Sequence, residues 1–291
     1  LPLGQVIRSH SNQFYVLVEG REVLCRPRGK FRIDHQNVLA GDQVEVQIEG
    51  TEGRIERVLP RTTVLQHPAV ANVDQVLVVF TLRDPMADYG FLDRVLIHAE
   101  RVGIKTAILL NKVDLLSEAE VEQFCHTYGV QVGYPVVPLA AKLGDGLADL
   151  IPLLVGRISV LAGHSGVGKS RLVKALEPTL ENIRIGELSE KLGRGKHTTR
   201  HVELIPLTVG GLLVDSPGFT YLEFTGLQKW DLAKFLPEFG RLTDTCRFAD
   251  CVHHKEPDCA VRAAVDNGQI ARSRYENYLL FLGEVEAIKR W

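Results

Sequence analysis

The chain has 291 residues, 45% of them hydrophobic, and a formal net charge of −2 with a pI near 6.6. That length predicts two or three domains rather than one. The balanced charge excludes a uniformly basic nucleic-acid binder, so any RNA contact must come from a local patch. No apolar run of about 18 residues occurs, so no membrane span is expected.

Residues 1–64 read as short strands. VIRSH, QFYVLVE, EVLCRP, DQVEVQIE and GRIERVLP are rich in Val, Ile, Phe and Tyr, and Gly20, Gly41 and Gly50–Gly53 punctuate them. About five strands in this length fit a small barrel such as an OB fold. The pattern changes at VDQVLVVF (73–80), a continuous apolar run typical of a buried parallel strand. A helix is predicted at 90–102, then the strand TAILL, a helix near 117–127, the strand YPVVPL, a helix near 146–154 and the strand RISVLA. This alternation predicts a parallel sheet covered by helices over 65–223. The remaining segment, 224–291, holds a Cys/His cluster and a mixed-charge tail with helical character. The expected fold class is therefore multidomain: a β-barrel, an α/β domain and a mainly helical metal-binding domain.

Gly163, His164, Ser165, Gly166, Val167, Gly168, Lys169 and Ser170 form G-x-x-x-x-G-K-S between an apolar strand and a helical segment that starts at Arg171. This is the context the phosphate-loop motif requires. Its glycines let backbone N–H groups close around phosphates, and the following helix N-terminus adds positive potential. Lys169 is expected to reach the β- and γ-phosphates and Ser170 to bind Mg²⁺. Asp215-Ser-Pro-Gly218 follows the apolar run GLLV. There an acid can hold Mg²⁺ through water, and Gly218 can offer an N–H to the γ-phosphate. Taken alone D-x-x-G is a weak signal; its weight comes from its order after Gly163. Between the two lies the glycine-rich basic stretch 192–200, expected to be a switch loop. Either Thr198 or Thr199 can close the Mg²⁺ shell from it, and Thr199 is the one assigned.

Asn111-Lys112-Val113-Asp114 directly follows TAILL and matches N-K-x-D. The Asp114 carboxylate can accept from guanine N1–H and the exocyclic amine, a pair that adenine does not present. A site built for that pair rejects the wrong base, because the carboxylate would otherwise be left unpaired. The competing reading makes Asp114 the cap of the helix near 117. Ala140, Ala141 and Lys142 stand where an S-A-K motif is expected, with Ala140 in place of Ser and the Ala141 amide kept for guanine O6. The base motifs thus precede the phosphate loop, the order of a circularly permuted GTPase. After D-x-x-G, Phe219 stands where many GTPases carry a water-orienting Gln. His197 is the candidate to replace it; the competing reading is a solvated loop histidine.

Cys246, Cys251 and Cys259, with His253 and His254 between them, crowd into one short segment. Clustered cysteines of this kind point to a metal rather than to a disulfide framework. Three Cys and one His suffice for tetrahedral Zn²⁺, and four protein ligands leave no open position, so the role expected is structural. The alternatives are a disulfide with a spare thiol, or three free thiols.

In combination these features resemble the ribosome small-subunit-dependent GTPase A family, RsgA or YjeQ, over nearly the whole chain. The barrel, GHSGVGKS, GRGKHTT, DSPGF, NKVD and the CRFADCVHHKEPDCAV segment carry the resemblance. It implies a cytoplasmic GTP hydrolase that acts late in assembly of the 30S subunit, binds its 16S rRNA and is stimulated by it. It also implies His197 as the catalytic group, Mg²⁺ bound with GTP or GDP, and one Zn²⁺ on Cys246, Cys251, His253 and Cys259, the family spacing favouring His253 over His254. His164, Arg171 and Ala140 depart from commoner residues without removing a phosphate or metal ligand. No membrane or DNA partner is expected, and a monomer is. Arg26, Arg28, Lys30 and Arg32 at alternate positions, and Arg272, Arg274, Lys289 and Arg290 in the tail, are candidate rRNA contacts. Competing functions are an intrinsic GTPase not tied to the ribosome and a GTP-gated RNA-binding module.

Overall fold

The computed structural model describes residues 1–10, 13–27, 38–66, 68–178, 202–215 and 222–288. They divide into two compact units, 1–77 with 141–220, and 78–140 with 221–291.

The first unit opens with the barrel. Strands β1 (Leu3–His10), β2 (Gln13–Val18), β3 (Arg21–Pro27), β4 (Gln43–Glu49) and β5 (Glu52–Val58) match the five expected segments. Along β2, buried and half-buried residues alternate, because period-two chemistry puts every second side chain inside. β1 pairs antiparallel with β2 and β4, β2 with β3, and β4 with β5, while β3 and β5 run parallel. The ring 1-2-3-5-4-1 is closed, which is the OB arrangement and removes free edges within it. Val6, Val16, Val18, Cys25, Val44, Val46 and Ile55 fill the interior. The interior is tight: a Cβ on Gly53 would lie 2.6 Å from the Cys25 Sγ, and one on Gly4 would lie 2.4 Å from a Val16 methyl.

A short hairpin follows, β6 (Val64–Gln66) with β7 (Ala69–Ala71). The buried Asp42 carboxylate accepts two bonds of 2.6 and 2.8 Å from Arg61, which stands at the surface, and binds the chain from Leu39 to Asp42 to its neighbours. The unit also contains the start of β8 (Gln75–Phe80), α3 (Leu147–Leu154), β11 (Ile158–Ala162), α4 (Lys169–Leu176), β12 (Glu203–Pro206) and β13 (Leu212–Asp215). β11 and β13 are parallel, with Val160 opposite Val214. The sheet is not wholly parallel, contrary to expectation. β12 runs antiparallel to β13, and its other edge pairs with β1 of the barrel at Arg8 and Glu203. The tight return is made by Gly210 and Gly211, both at positive φ, where a Cβ on Gly211 would sit 2.1 Å from the Leu154 carbonyl oxygen.

The second unit holds the rest of β8, α1 (Tyr89–Val102), β9 (Lys105–Asn111), α2 (Glu118–Phe124) and β10 (Val136–Leu139), with β10 parallel to β9. β9 is buried from Thr106 to Asn111, as expected of a central strand. The helix expected near 117–127 is two structures: α2 passes at Cys125 into a π-helical stretch that ends at Val132 and Gly133. Its C-terminal part contains α5 (Pro237–Gly240), α6 (Ala260–Asp266) and α7 (Arg272–Ile288). Their core joins Phe224, Leu227, Phe239, Val261, Tyr278, Phe281 and Val285 to Ile97 of α1.

Candidate nucleotide motifs and metal centre

The phosphate-loop sequence lies between β11 and α4. Gly163, Gly166 and Gly168 have φ of +143°, +82° and +101°, which side-chain-bearing residues rarely adopt. Val167 is buried and anchors the loop, while His164, Ser165 and Gly166 are exposed. Ser170 and Arg171 lie in the first turn of α4 and are exposed. The first turn of a helix leaves backbone N–H groups unsatisfied, which makes this loop able to hold an anion. The Lys169 ammonium is folded across the loop, donating to the carbonyls of Gly163 at 2.6 Å and His164 at 2.7 Å. Burial lowers its pKa, so a neighbouring anion would be stabilising there. Asp215 ends β13, the parallel neighbour of β11, so its backbone stands at the same end of the sheet as the loop. His197, Thr198, Thr199 and Gly218 lie outside the described residues.

In the second unit Asn111 ends β9 and is buried. Lys112 takes a left-handed conformation with φ +62°, and the chain turns through a short 3₁₀ segment, Val113–Leu115, that carries an exposed Asp114. Asp114 is not the helix cap. Ser117 caps α2, its hydroxyl accepting from Glu120 N–H while the Glu120 carboxylate accepts from Ser117 N–H at 2.9 Å. The Lys112 ammonium donates to the Asp84 carbonyl and lies 3.3 Å from its carboxylate. Asp84 was not legible as a partner, because only the turn after β8 brings it there. Ala140 follows β10 in the second unit, and Ala141 and Lys142 follow in the first. Both alanines are buried and Lys142 is exposed.

Cys246, Cys251, His253 and Cys259 come together, with their ligand atoms all within 4.8 Å of one another. His253 Nδ1 is 3.6 Å from Cys246 Sγ and 3.4 Å from Cys259 Sγ. The two histidines divide clearly: His253 is buried at φ +56°, whereas His254 is exposed. The turn between them and Cys259 is built on Glu256, whose carboxylate accepts from the N–H groups of Val252, His254 and Lys255. Tyr275 and Tyr278 of α7 donate to the carbonyls of His253 and Val252 at 2.8 and 2.6 Å. Burial pushes the Cys251 thiol up to about 12, so a cation would be needed to keep it a thiolate. The four residues can hold one metal ion.

Two basic candidates change meaning. Arg274 is not available to RNA: it is 1% exposed, 2.6 Å from Asp93 and 2.7 Å from Glu238. Asp93 also accepts from Tyr128 at 2.9 Å and from Asn277 at 2.6 Å. Arg272 faces Asp266 at 3.4 Å. Arg26 is exposed beside Glu52, whereas Arg28, Lys30, Arg32, Lys289 and Arg290 lie outside the described residues. Among the described residues no helix is long and apolar enough to cross a membrane.

Family models match along the chain: an RsgA N-terminal domain at residues 3–55 and an RsgA GTPase domain at 58–225. A protein of Moorella thermoacetica named small ribosomal subunit biogenesis GTPase RsgA is 46% identical, covering 99% of this chain and 98% of its own. One of the same name from Shouchella clausii is 42% identical, with 100% and 99% covered. The crystal structure of YjeQ from Thermotoga maritima superposes with a TM-score of 0.84 at 38% identity, covering 100% of this chain and 99% of that one. YloQ, described as a circularly permuted GTPase, superposes with a TM-score of 0.81 at 36% identity, covering 100% and 96%. With the family model spanning more than half of its residues and such relatives matched end to end, this chain belongs to the RsgA GTPase family.

Proposed function

We propose that this protein is a cytoplasmic, monomeric GTPase that acts on the small ribosomal subunit late in its assembly, contacts its rRNA and is stimulated by it. The observation that carries this reading is the end-to-end likeness, at 42–46% identity, to proteins named small ribosomal subunit biogenesis GTPases.

The site residues take these roles. Asn111 and Asp114 read guanine, the carboxylate accepting from N1–H and the amine, and the Ala141 amide donates to O6. Lys112, held by Asp84, and Lys142 flank the base. The loop from Gly163 to Gly168 surrounds the phosphates, and the Lys169 ammonium exchanges the Gly163 and His164 carbonyls for β- and γ-phosphate oxygens. Ser170, Thr199 and Asp215 would hold Mg²⁺, which neutralises charge on the β- and γ-oxygens when bound. Placement supports two of them: Ser170 opens α4 directly behind the loop, and Asp215 ends the strand beside it. Gly218 donates to the γ-phosphate. His197 orients the attacking water, a role Phe219 cannot fill by hydrogen bonding. Water then adds to the γ-phosphorus in line as the bond to GDP breaks.

The metal of the Cys₃His centre is Zn²⁺, in a structural role. Tetrahedral ligation with Zn–S of about 2.3 Å and Zn–N of about 2.0–2.1 Å puts S and N about 3.6 Å apart. The observed separations of 3.4 and 3.6 Å fit.

The test is steady-state GTP turnover with and without purified small subunits, for the protein and for His197→Ala. Strong stimulation that disappears in the variant is expected. Equal turnover with and without subunits would sink the ribosomal reading.

A further inference from the structure

Two consecutive residues grip the N-K-x-D turn on both sides of Asp114. Arg83 and Asp84 lie in the turn that leaves β8, the strand beside β9 in the sheet. On the near side, the Lys112 ammonium donates to the Asp84 carbonyl and stands 3.3 Å from its carboxylate. On the far side, Arg83 Nη1 donates to the Leu115 carbonyl at 3.0 Å. Arg83 Nη2 donates to Glu120 Oε1 at 2.6 Å, while Glu120 Oε2 accepts from the N–H and hydroxyl of Ser117 at 2.9 and 2.8 Å. Arg83 therefore ties Leu115 to the cap of α2.

Core packing does not hold this turn, since none of Val113, Asp114 and Leu115 is buried. Lys112 also has a left-handed backbone, φ +62°, which a side-chain-bearing residue adopts at a cost. Within the turn, the N–H groups of Leu115 and Leu116 donate to the carbonyls of Lys112 and Val113, both at 3.0 Å. Those bonds close the turn but do not fix where its far end stands against the chain leaving β8. The Arg83 bond to Leu115 does. A guanidinium suits that place, because its two terminal nitrogens serve a carbonyl and a carboxylate together.

We propose that Arg83, assisted by Asp84, is a positioning residue for guanine selection: the pair holds the backbone on both sides of Asp114, so that its carboxylate is placed for N1–H and the exocyclic amine. The inference rests on the guanine-reading role given to Asp114 above. Its physical basis is preorganisation, since a carboxylate already placed gives up less conformational freedom on binding. Inosine diphosphate (IDP) reports the aim of that carboxylate, because hypoxanthine keeps N1–H and lacks the amine. A misaimed Asp114 loses the amine bond, so the preference for GDP over IDP falls. A residue that merely stabilised the fold would change both affinities alike. The Arg83–Glu120 pair is largely exposed, and such pairs add little to stability, so the fold should survive its loss.

The experiment uses the full chain with Arg83→Ala, Arg83→Lys and Asp84→Asn. Titration calorimetry gives affinities for GDP, IDP and ADP, and a thermal melt checks the fold. The parent should prefer GDP to IDP, and both to ADP. Arg83→Ala should lower the GDP-to-IDP preference about tenfold with the melt nearly unchanged. Arg83→Lys should recover only part of that preference. Asp84→Asn, which keeps the backbone carbonyl, should lose less than Arg83→Ala. A folded Arg83→Ala protein with the parental GDP-to-IDP preference would overturn the proposal, even where both affinities fall together. Should Arg83→Ala fail to fold, Arg83→Met, which keeps the stem without donors, is read in the same sense. A parent that binds GDP no better than ADP would overturn the guanine reading of Asp114 and this inference with it. Discrimination in the parent with no change in the variant sinks this inference alone.

Discussion

The barrel and the C-terminal region are both small, and they are stabilised in opposite ways. The barrel closes on itself: five strands satisfy one another's backbone groups around a core of valines, Cys25 and Ile55. The C-terminal region has short helices, and its loop from Cys246 to Cys259 contains little regular structure. Its four Cys and His side chains could share one metal ion, tyrosines hold the loop that carries them, and a buried ionic cluster surrounds Arg274. A closed sheet derives stability from many equivalent contacts. A region that could be stapled by one metal ion concentrates it in a few, so single changes should have unequal effects in the two regions.

The largest effect expected is from metal removal. Structural zinc contributes on the order of 10 kcal/mol to folding of small modules. A strong chelator, or Cys251→Ala, should therefore abolish amide protection over residues 246–259 while leaving protection in β1–β5. Hydrogen exchange read by mass spectrometry checks this; equal loss in the barrel would break the comparison.

Next is the ionic cluster. Arg274→Ala would leave Asp93 and Glu238 buried and unpaired, a loss of about 3–5 kcal/mol in urea unfolding. Arg274→Met should cost about as much, because the carboxylates remain. The triple replacement of Arg274, Asp93 and Glu238 by apolar residues should recover much of it.

Acid should act on the same unit through His98. Burial, the largest cause, lowers its pKa from 6.5 to about 4. The unfolded chain therefore binds a proton between those values that the folded chain does not. Its contribution is complete above pH 6.5 and is lost as pH falls toward 4, up to about 3 kcal/mol. Replacing His98 with Phe should flatten that part of the stability profile, measured by denaturant midpoints at pH 4.5 and 7.

The smallest effect belongs to the barrel. Gly53→Ala places a methyl 2.6 Å from Cys25 Sγ, and repacking should cost about 2 kcal/mol, read as a lower melting temperature without loss of order elsewhere.

Much of the molecule could be read from the chain. The five barrel strands are legible because alternation records which face is buried, and Gly20, Gly41 and Gly50 mark most of the turns between them. The phosphate loop, N-K-x-D and the cysteine cluster are legible because each packs its chemistry into contiguous residues. The choice between His253 and His254 came only from family spacing; in the structure a left-handed backbone at His253 buries its ring, while His254 faces out. The competing cap role for Asp114 was open in sequence and is closed by Ser117, one turn later. Arg274 was misread as an RNA contact because its partners Asp93 and Glu238 are far away in sequence.

Local features were legible in the chain: which segments are strands or helices, which glycines can lie close to phosphates, and which sulfurs and imidazoles can share an ion. Pairing across distance emerges only on folding. The antiparallel edge of β12 against β1, the hold of Asp84 on Lys112, the burial of Arg274 and the seat of Phe224 on α1 all join residues well separated in the chain. Backbone propensity and motif chemistry act between neighbours. An exposed strand edge or a buried charge takes whichever partner the folded chain brings within reach.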